Sequence, residues 1–269
     1  MPRCFSVFWH QRRLIRQLTV RNLQSEVKGS LLGLCWLIVN PLLMLAVYAF
    51  VFGGIFGARF EAGSASGAQD YVLGLFLGLS IHQLLASVLM TAPRLIHQHP
   101  GYVKKFVFPL EVLPIGNVCA AAVRFATSLL LLLAALLLLG NTPGWVSLYA
   151  LLSMAPVLPM ALGLAYLMAG MGVFFRDLPQ MSNFFSIIML YASGVFYAAE
   201  TVQVETPAIW AWLQWNPVLH AIDLSRQALL WHTPPDLPAL SYLWLCGLAL
   251  YFLGYTVFSR VRPAFADIV

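Results

Sequence analysis

Charged residues are absent from five long stretches of this chain: Leu31–Ala58, Tyr71–Pro93, Phe125–Phe175, Leu178–Ala199 and Leu237–Ser259. A helix that crosses a bilayer needs roughly 20 predominantly apolar residues, so each stretch is long enough for one crossing. Phe125–Phe175 is long enough for two, and Asn141-Thr142-Pro143-Gly144 divides it, since Pro and Gly both oppose helix continuation. The pattern predicts an all-α integral membrane protein with six transmembrane helices in a membrane domain spanning 31–259. Pro156 and Pro159 predict a kink in the fourth helix, where a backbone hydrogen bond is lost.

The segments between these stretches alternate in charge. Arg3, Arg12, Arg13, Arg16, Arg21 and Lys28 precede the first; Arg94, Lys104 and Lys105 follow the second; Arg176 follows the third, which holds two crossings; Arg260 and Arg262 lie in the tail 260–269. The intervening segments hold only Arg59 and Arg226, beside Glu61, Asp70, Glu200, Glu205, Asp223 and Asp236. Basic residues near span ends are retained on the cytoplasmic side, which places both termini inside. Residues 1–30 read as a cytoplasmic interface helix. Val7, Phe8, Leu14, Ile15 and Leu18 share one side and Arg12, Arg13 and Arg16 the other, so the helix is expected to lie in the headgroup plane, apolar side down.

Two connecting segments are more than turns. In 92–117, Pro93, Pro100, Pro109 and Pro114 punctuate a basic run, which reads as one short cytoplasmic cross-helix ended at Pro100-Gly101. In 200–236, four tryptophans (Trp210, Trp212, Trp215 and Trp231) make the segment too apolar for a solvated loop. Pro217 suits a helix start, with Val218, Ile222, Ser225 and Leu229 on one side and His220, Asp223 and Gln227 on another. A re-entrant helical hairpin before the last span is expected, its turn at Asn216-Pro217, facing a dimer axis or a channel mouth because irregular backbone at membrane depth needs protein or a watery cavity beside it.

At 61% hydrophobic and 9% charged, against roughly 25% charged in soluble proteins, the composition excludes a soluble core. The net charge of +5 sits at span edges, where it anchors the chain to membrane lipid; no separate basic stripe suggests nucleic acid. Cys4, Cys35, Cys119 and Cys246 form no C-x-x-C pair and read as small buried hydrophobes. Leu31–Ala58 is too long for the apolar part of a cleaved signal.

The available chemistry is sparse. The spans contain no Asp or Glu to bind a driving ion, and no G-x-x-x-x-G-K-[ST] occurs to bind ATP, so energy is expected from a separate ATPase subunit. His82, beside Gln83, reads as a hydrogen-bonded helix contact, and His97 and His99 do not match zinc spacing; no metal site is expected. A membrane-embedded transferase lacks the carboxylate and His cluster that acid–base work needs. Gly29/Gly33, Gly53/Gly57 and Gly74/Gly78 fit small-x-x-x-small helix contacts. Tyr166, Phe174, Phe175, Phe184, Phe185, Tyr191, Phe196 and Tyr197 cluster around the fourth and fifth spans, where aromatic faces would suit sugar rings.

Several motifs resemble one family. Arg21-Asn22-Leu23, Lys28-Gly29-Ser30-Leu31-Leu32-Gly33, Trp36 and Asn40-Pro41-Leu42 are similar to the entry to the first span in permease subunits of ABC exporters for bacterial polysaccharides, the O-antigen, capsule and teichoic acid transporters. Phe108–Pro114, Phe175-Arg176-Asp177 and Trp215-Asn216-Pro217 leading to Arg226 continue the likeness. The resemblance implies a homodimeric, non-enzymatic permease in the bacterial inner membrane. Two copies of a cytoplasmic ATPase, which would carry the ATP and Mg, would drive export of a lipid-linked glycan. It implies an ATPase-coupling surface of Leu95, Ile96, His97, Gln98, His99, Tyr102, Lys104, Lys105, Arg176 and Asp177. It further implies a periplasmic gate in Pro207–Trp231, with Trp215, Asn216, Pro217, His220, Asp223 and Arg226, the last able to pair with Asp223. Tyr166, Phe184, Phe185, Tyr191, Phe196 and Tyr197 would line a glycan channel. A permease of the same architecture for a small hydrophobic drug or lipid is the alternative.

Overall fold

The computed structural model describes residues 9–57, 67–103, 108–141 and 144–265, and among them every regular element is helical. Arg3, Val7, Phe8, Arg59, Glu61, Lys104, Lys105, Thr142 and Pro143 lie outside the described residues.

Among the described residues five helices are long and apolar enough to cross a membrane: Gly33–Ile55, Ala68–Arg94, Val112–Leu138, Trp145–Gly172 and Leu237–Ala264. The fifth of the six expected crossings differs. Leu178–Ala199 contains a helix, Leu178–Ala192, of only 15 residues, which at 1.5 Å per residue spans about 22 Å, short of the roughly 30 Å hydrocarbon core. Its end follows from Ser193-Gly194: Gly194 adopts φ +66°, the left-handed conformation that closes helices and that glycine adopts without steric cost. Residues 193–198 then run without regular structure.

The elements in order are α1 (Arg12–Glu26), α2 (Trp36–Tyr48), α3 (Ala68–Thr91), α4 (Pro100–Val103), α5 (Val112–Leu138), α6 (Leu148–Met154), α7 (Val157–Gly172), α8 (Leu178–Ala192), α9 (Ala199–Glu205), α10 (Pro207–Leu213), α11 (Pro217–Leu229) and α12 (Leu237–Val261). The expected kink stands between α6 and α7, where Pro156 cannot donate a backbone hydrogen bond. α3 is the central post. It is apolar on every side, and nearly its whole length is buried against α5, α7, α8 and α11.

α7 and α12 meet backbone to backbone. A Cβ on Gly247 would come within 2.6 Å of the Pro156 carbonyl oxygen, and one on Gly163 or Gly254 would collide with the facing helix's backbone. Without a hydrophobic drive between helices in lipid, such close approach is how spans associate. These glycines, not the expected pairs, make the contact. Gly29, Gly33 and Gly57 have positive φ with open space around them, so they serve turns. Polar links join other spans. His82 Nε2 donates to the Ser186 carbonyl at 3.1 Å, bearing out the helix-contact reading, and Thr91 and Asn117 exchange hydrogen bonds between α3 and α5.

The N-terminal helix is also placed differently. Ile15, Leu18, Thr19 and Leu23 of α1 are buried against α5. A Cβ on Gly116 would sit 2.9 Å from the Leu18 Cβ. The apolar side is therefore spent on protein rather than on lipid, while Arg12, Arg13 and Arg16 stay exposed. Glu26 at the helix end pairs with Arg124 of α5 at 2.5 Å. The tail is not free either: Arg262 pairs with Glu111, and Phe265 is fully buried against Phe174 and Phe258.

Candidate functional site

Two constellations lie at opposite ends of the helices, one around α11 and one around α4.

At the first, Asn216-Pro217 starts α11 as expected. Asn216 Oδ1 accepts from Val218 N at 3.0 Å, and its Nδ2 donates to the Ala192 carbonyl at 2.9 Å. The buried side of α11 carries Val218, Ile222, Ser225 and Leu229, together with Arg226, which is only 1% exposed. Its guanidinium forms a fan of four hydrogen bonds to carbonyls: Nε to Gly74 at 3.0 Å, Nη1 to Gly194 at 2.7 Å and Tyr197 at 3.2 Å, and Nη2 to Val195 at 2.6 Å. Asp223 stands one turn earlier, and its Oδ2 accepts from Gln227 at 2.9 Å. Gly78, read from sequence as a helix contact, faces α11, where it makes room for this guanidinium and for Ile222, while Gly74 contributes its carbonyl. A Cβ on Gly78 would stand 2.9 Å from Arg226 Nη2.

Around the fan, His220 Nε2 donates to the Gln214 carbonyl at 2.7 Å, and the Tyr242 hydroxyl donates to the Trp215 carbonyl at 2.7 Å. Trp215 itself is exposed. The acceptor segment 193–198 was missed from sequence because the charge-free stretch continues through it. The Ser193-Gly194 pair was the available signal.

At the other end, the described residues show no helix that ends at Pro100-Gly101, where the cross-helix was expected to stop. Residues 92–94 extend α3 by a tight turn, 95–98 are turns, and Pro100 begins α4 rather than ending a helix. Proline fits there because the first helical N–H has no partner to lose. Leu95 and Ile96 are buried in the core, so they support this surface instead of forming it. Arg94, His97, Gln98, Pro100 and Gly101 are exposed. Tyr102 stacks between His99 (5.6 Å between centroids) and Phe108 (4.4 Å), and its hydroxyl accepts from Arg21 of α1 at 3.4 Å. Exposed Arg176 and Asp177 open α8 close by, where Pro93 backs onto Gly172.

The predicted channel aromatics divide. Phe184, Phe185 and Tyr191 are exposed on α8, whose Ser182 and Ser186 face inward. Phe196 and Tyr197 belong to the irregular segment, where the Tyr197 hydroxyl donates to the Tyr191 carbonyl at 2.8 Å. Tyr166 is 1% exposed, edge-on to Tyr255 and hydrogen-bonded to the Glu111 carbonyl. It is a core residue and lines no surface of the chain. Among the described residues no cluster of His, Cys, Asp or Glu could hold a metal.

The chain is similar over nearly its whole length to curated transport proteins. It shares 26% identity with the O-antigen export system permease protein RfbA of Klebsiella pneumoniae, covering 95% of each chain. Identity is 27% with the O-antigen export system permease protein RfbA of Myxococcus xanthus, covering 99% of each, and 20% with the polysialic acid transport protein KpsM of Escherichia coli, covering 96% of this chain and 97% of that one. The ABC-2 type transporter profile matches residues 13–230, which include α1 from its second residue, the α4 surface and the Arg226 fan. The chain therefore belongs to the ABC-2 type transporter family and is a multi-pass membrane permease.

Proposed function

We propose that this protein is the permease of an ATP-driven exporter that moves a lipid-linked polysaccharide, of the O-antigen or capsular kind, across the bacterial inner membrane. The observation that carries the reading is the end-to-end similarity to permeases named for O-antigen and polysialic acid export. Two copies of this chain would enclose the channel, with two copies of a separate ATPase beneath them. In this reading α8 and the segment 193–198 together make the fifth of six crossings, and an even number returns the chain to its starting side, in agreement with the distribution of Arg and Lys.

Support for a second copy comes from the first span. None of the most apolar window of Gly33–Ile55 is buried within the chain, and Asn40 is exposed in it. An amide at membrane depth needs a polar partner, and a second copy supplies one that both donates and accepts. The exposed aromatics of α8 would face the polymer. The surface of Arg94, His97, Gln98 and Pro100, flanked by Arg176 and Asp177, would receive the ATPase, with nucleotide-driven motion passing through Tyr102 to Arg21 and α1.

Purified with its ATPase and reconstituted, the complex should hydrolyse ATP faster on addition of lipid-linked glycan and not on addition of hydrophobic drugs. A deletion strain should lose surface glycan. Stimulation by drugs alone would replace this reading with small-molecule export.

A further inference from the structure

An ion pair lies just beyond the aromatic stack of α4. Phe108, which stacks on Tyr102, opens a tight turn in which Val112 N donates to the Pro109 carbonyl at 3.1 Å and Leu113 N to the Leu110 carbonyl at 3.2 Å. The carboxylate of Glu111, in that turn, pairs with Arg262, the first residue past α12. The Glu111 side chain is 11% exposed and that of Arg262 40%. A carboxylate so buried needs its countercharge, yet exchanging a buried pair for apolar groups is often neutral or better for stability. Stability therefore gives little reason for charge at this place. What the pair supplies is a fixed register between the start of α5 and the end of the last span.

Residue 111 and the tail also reach the other helices. The Tyr166 hydroxyl of α7 donates to the Glu111 carbonyl at 3.3 Å, and the Tyr166 ring meets Tyr255 and Phe258 of α12. Phe265, fully buried, packs on Phe258 and on Phe174, and Phe174 stands just before Arg176-Asp177. The tail segment 262–265 thus reaches both halves of the surface assigned to the ATPase, through Glu111 behind α4 and through Phe174 beside Arg176-Asp177. α7 and α12 cannot slide independently, since their backbones meet at Gly163, Gly247 and Gly254. A push on either half of the surface reaches them as one body.

We propose that Glu111 and Arg262 are positioning residues of the transport step: their pair makes the end of the last span follow the α4 surface, so that nucleotide-driven movement there is delivered to the α7–α12 unit. An ATPase at that surface rests on the exporter reading above; the link itself rests on the contacts of Glu111, Tyr166 and Phe265.

The test uses the permease with its ATPase in nanodiscs, and the same variants in the deletion strain. Glu111→Gln and Arg262→Gln each remove one charge. Either should lower surface glycan severalfold for equal amounts of inserted permease, while ATP hydrolysis per complex stays within about twofold, and the double variant should be no worse than either single, as for two residues that act through one contact. Glycan lost only in step with monodisperse complex would mean that the pair merely holds the fold, and the proposal would fail. A second readout needs no glycan. Ser259→Cys, at an exposed position near the end of α12 in a background where native cysteines are replaced, should change its rate of labelling by an impermeant maleimide severalfold between nucleotide-free and ATP-trapped complex. That change should vanish in Glu111→Gln. If Glu111→Gln does not assemble, Arg262→Gln, on the more exposed partner, carries the same test. Unimpaired glycan in both singles, losses that multiply in the double variant, a labelling rate that never responds to nucleotide, or a response that persists without the pair would each overturn the proposal. A complex that exports no glycan yet shows pair-dependent labelling would sink the exporter reading and leave the link standing.

Discussion

Gly247→Ala should loosen the contact between the last span and α7 more than its single added methyl suggests. The new Cβ would stand 2.6 Å from the Pro156 carbonyl oxygen, about 0.8 Å short of ordinary contact at 3.4 Å. That carbonyl cannot swing aside, because it accepts the hydrogen bond from Met160 N at 3.2 Å that starts α7. The helices must part instead. A gap of 0.5–1 Å forfeits a quarter to a half of each dispersion contact, and in lipid these contacts are the main attraction between spans. The expected cost is of the size seen for overpacked cores, about 1–3 kcal/mol. Two companions calibrate it. Gly170→Ala meets a Val261 methyl at 3.3 Å, 0.7 Å farther than the Gly247 contact, and should cost less; Gly101→Ala meets nothing within 4 Å and should be neutral. The assay is the fraction of detergent-solubilised protein that stays monodisperse after stepwise heating. If Gly247→Ala survives heating as well as Gly101→Ala, the backbone contact between these helices is not what holds them.

Asn40→Leu should weaken association of two copies, since it removes an exposed amide from the first span; an unchanged dimer fraction on native gels would show that Asn40 faces lipid or water. Tyr102→Ala breaks the stack between His99 and Phe108 and the bond from Arg21, so ATP hydrolysis by the assembled complex should continue while surface glycan falls at least severalfold; unimpaired export would remove α1 from the transmission path. Single cysteines at Gln98 and Gln180 should be shielded from impermeant reagent in spheroplasts while Ser66→Cys is labelled, and the reverse pattern would invert the topology.

Much of this protein is legible in one dimension because the bilayer imposes one-dimensional rules. Helix length, charge at span ends and proline positions follow from membrane thickness and from the cost of burying charge, so five of the six spans, the interruption at Pro156, the start of α11 at Asn216-Pro217 and the helix-contact role of His82 could be read directly. The sequence also carried a family likeness strong enough to name the class.

What it could not show is which residue meets which. Gly247 and Gly254 look like any other glycines until Pro156 and Gly163 are brought against them. Arg226 reads as a gate residue on the hairpin helix able to pair with Asp223, yet it lies at the core because the carbonyls at positions 74, 194, 195 and 197, distant along the chain, converge on it. The apolar side of α1 and the residues Leu95 and Ile96 were assigned to lipid and to a partner, and the fold covers them with its own helices. Apolarity specifies that a side chain avoids water; only packing decides whether lipid, a partner or another helix does the covering.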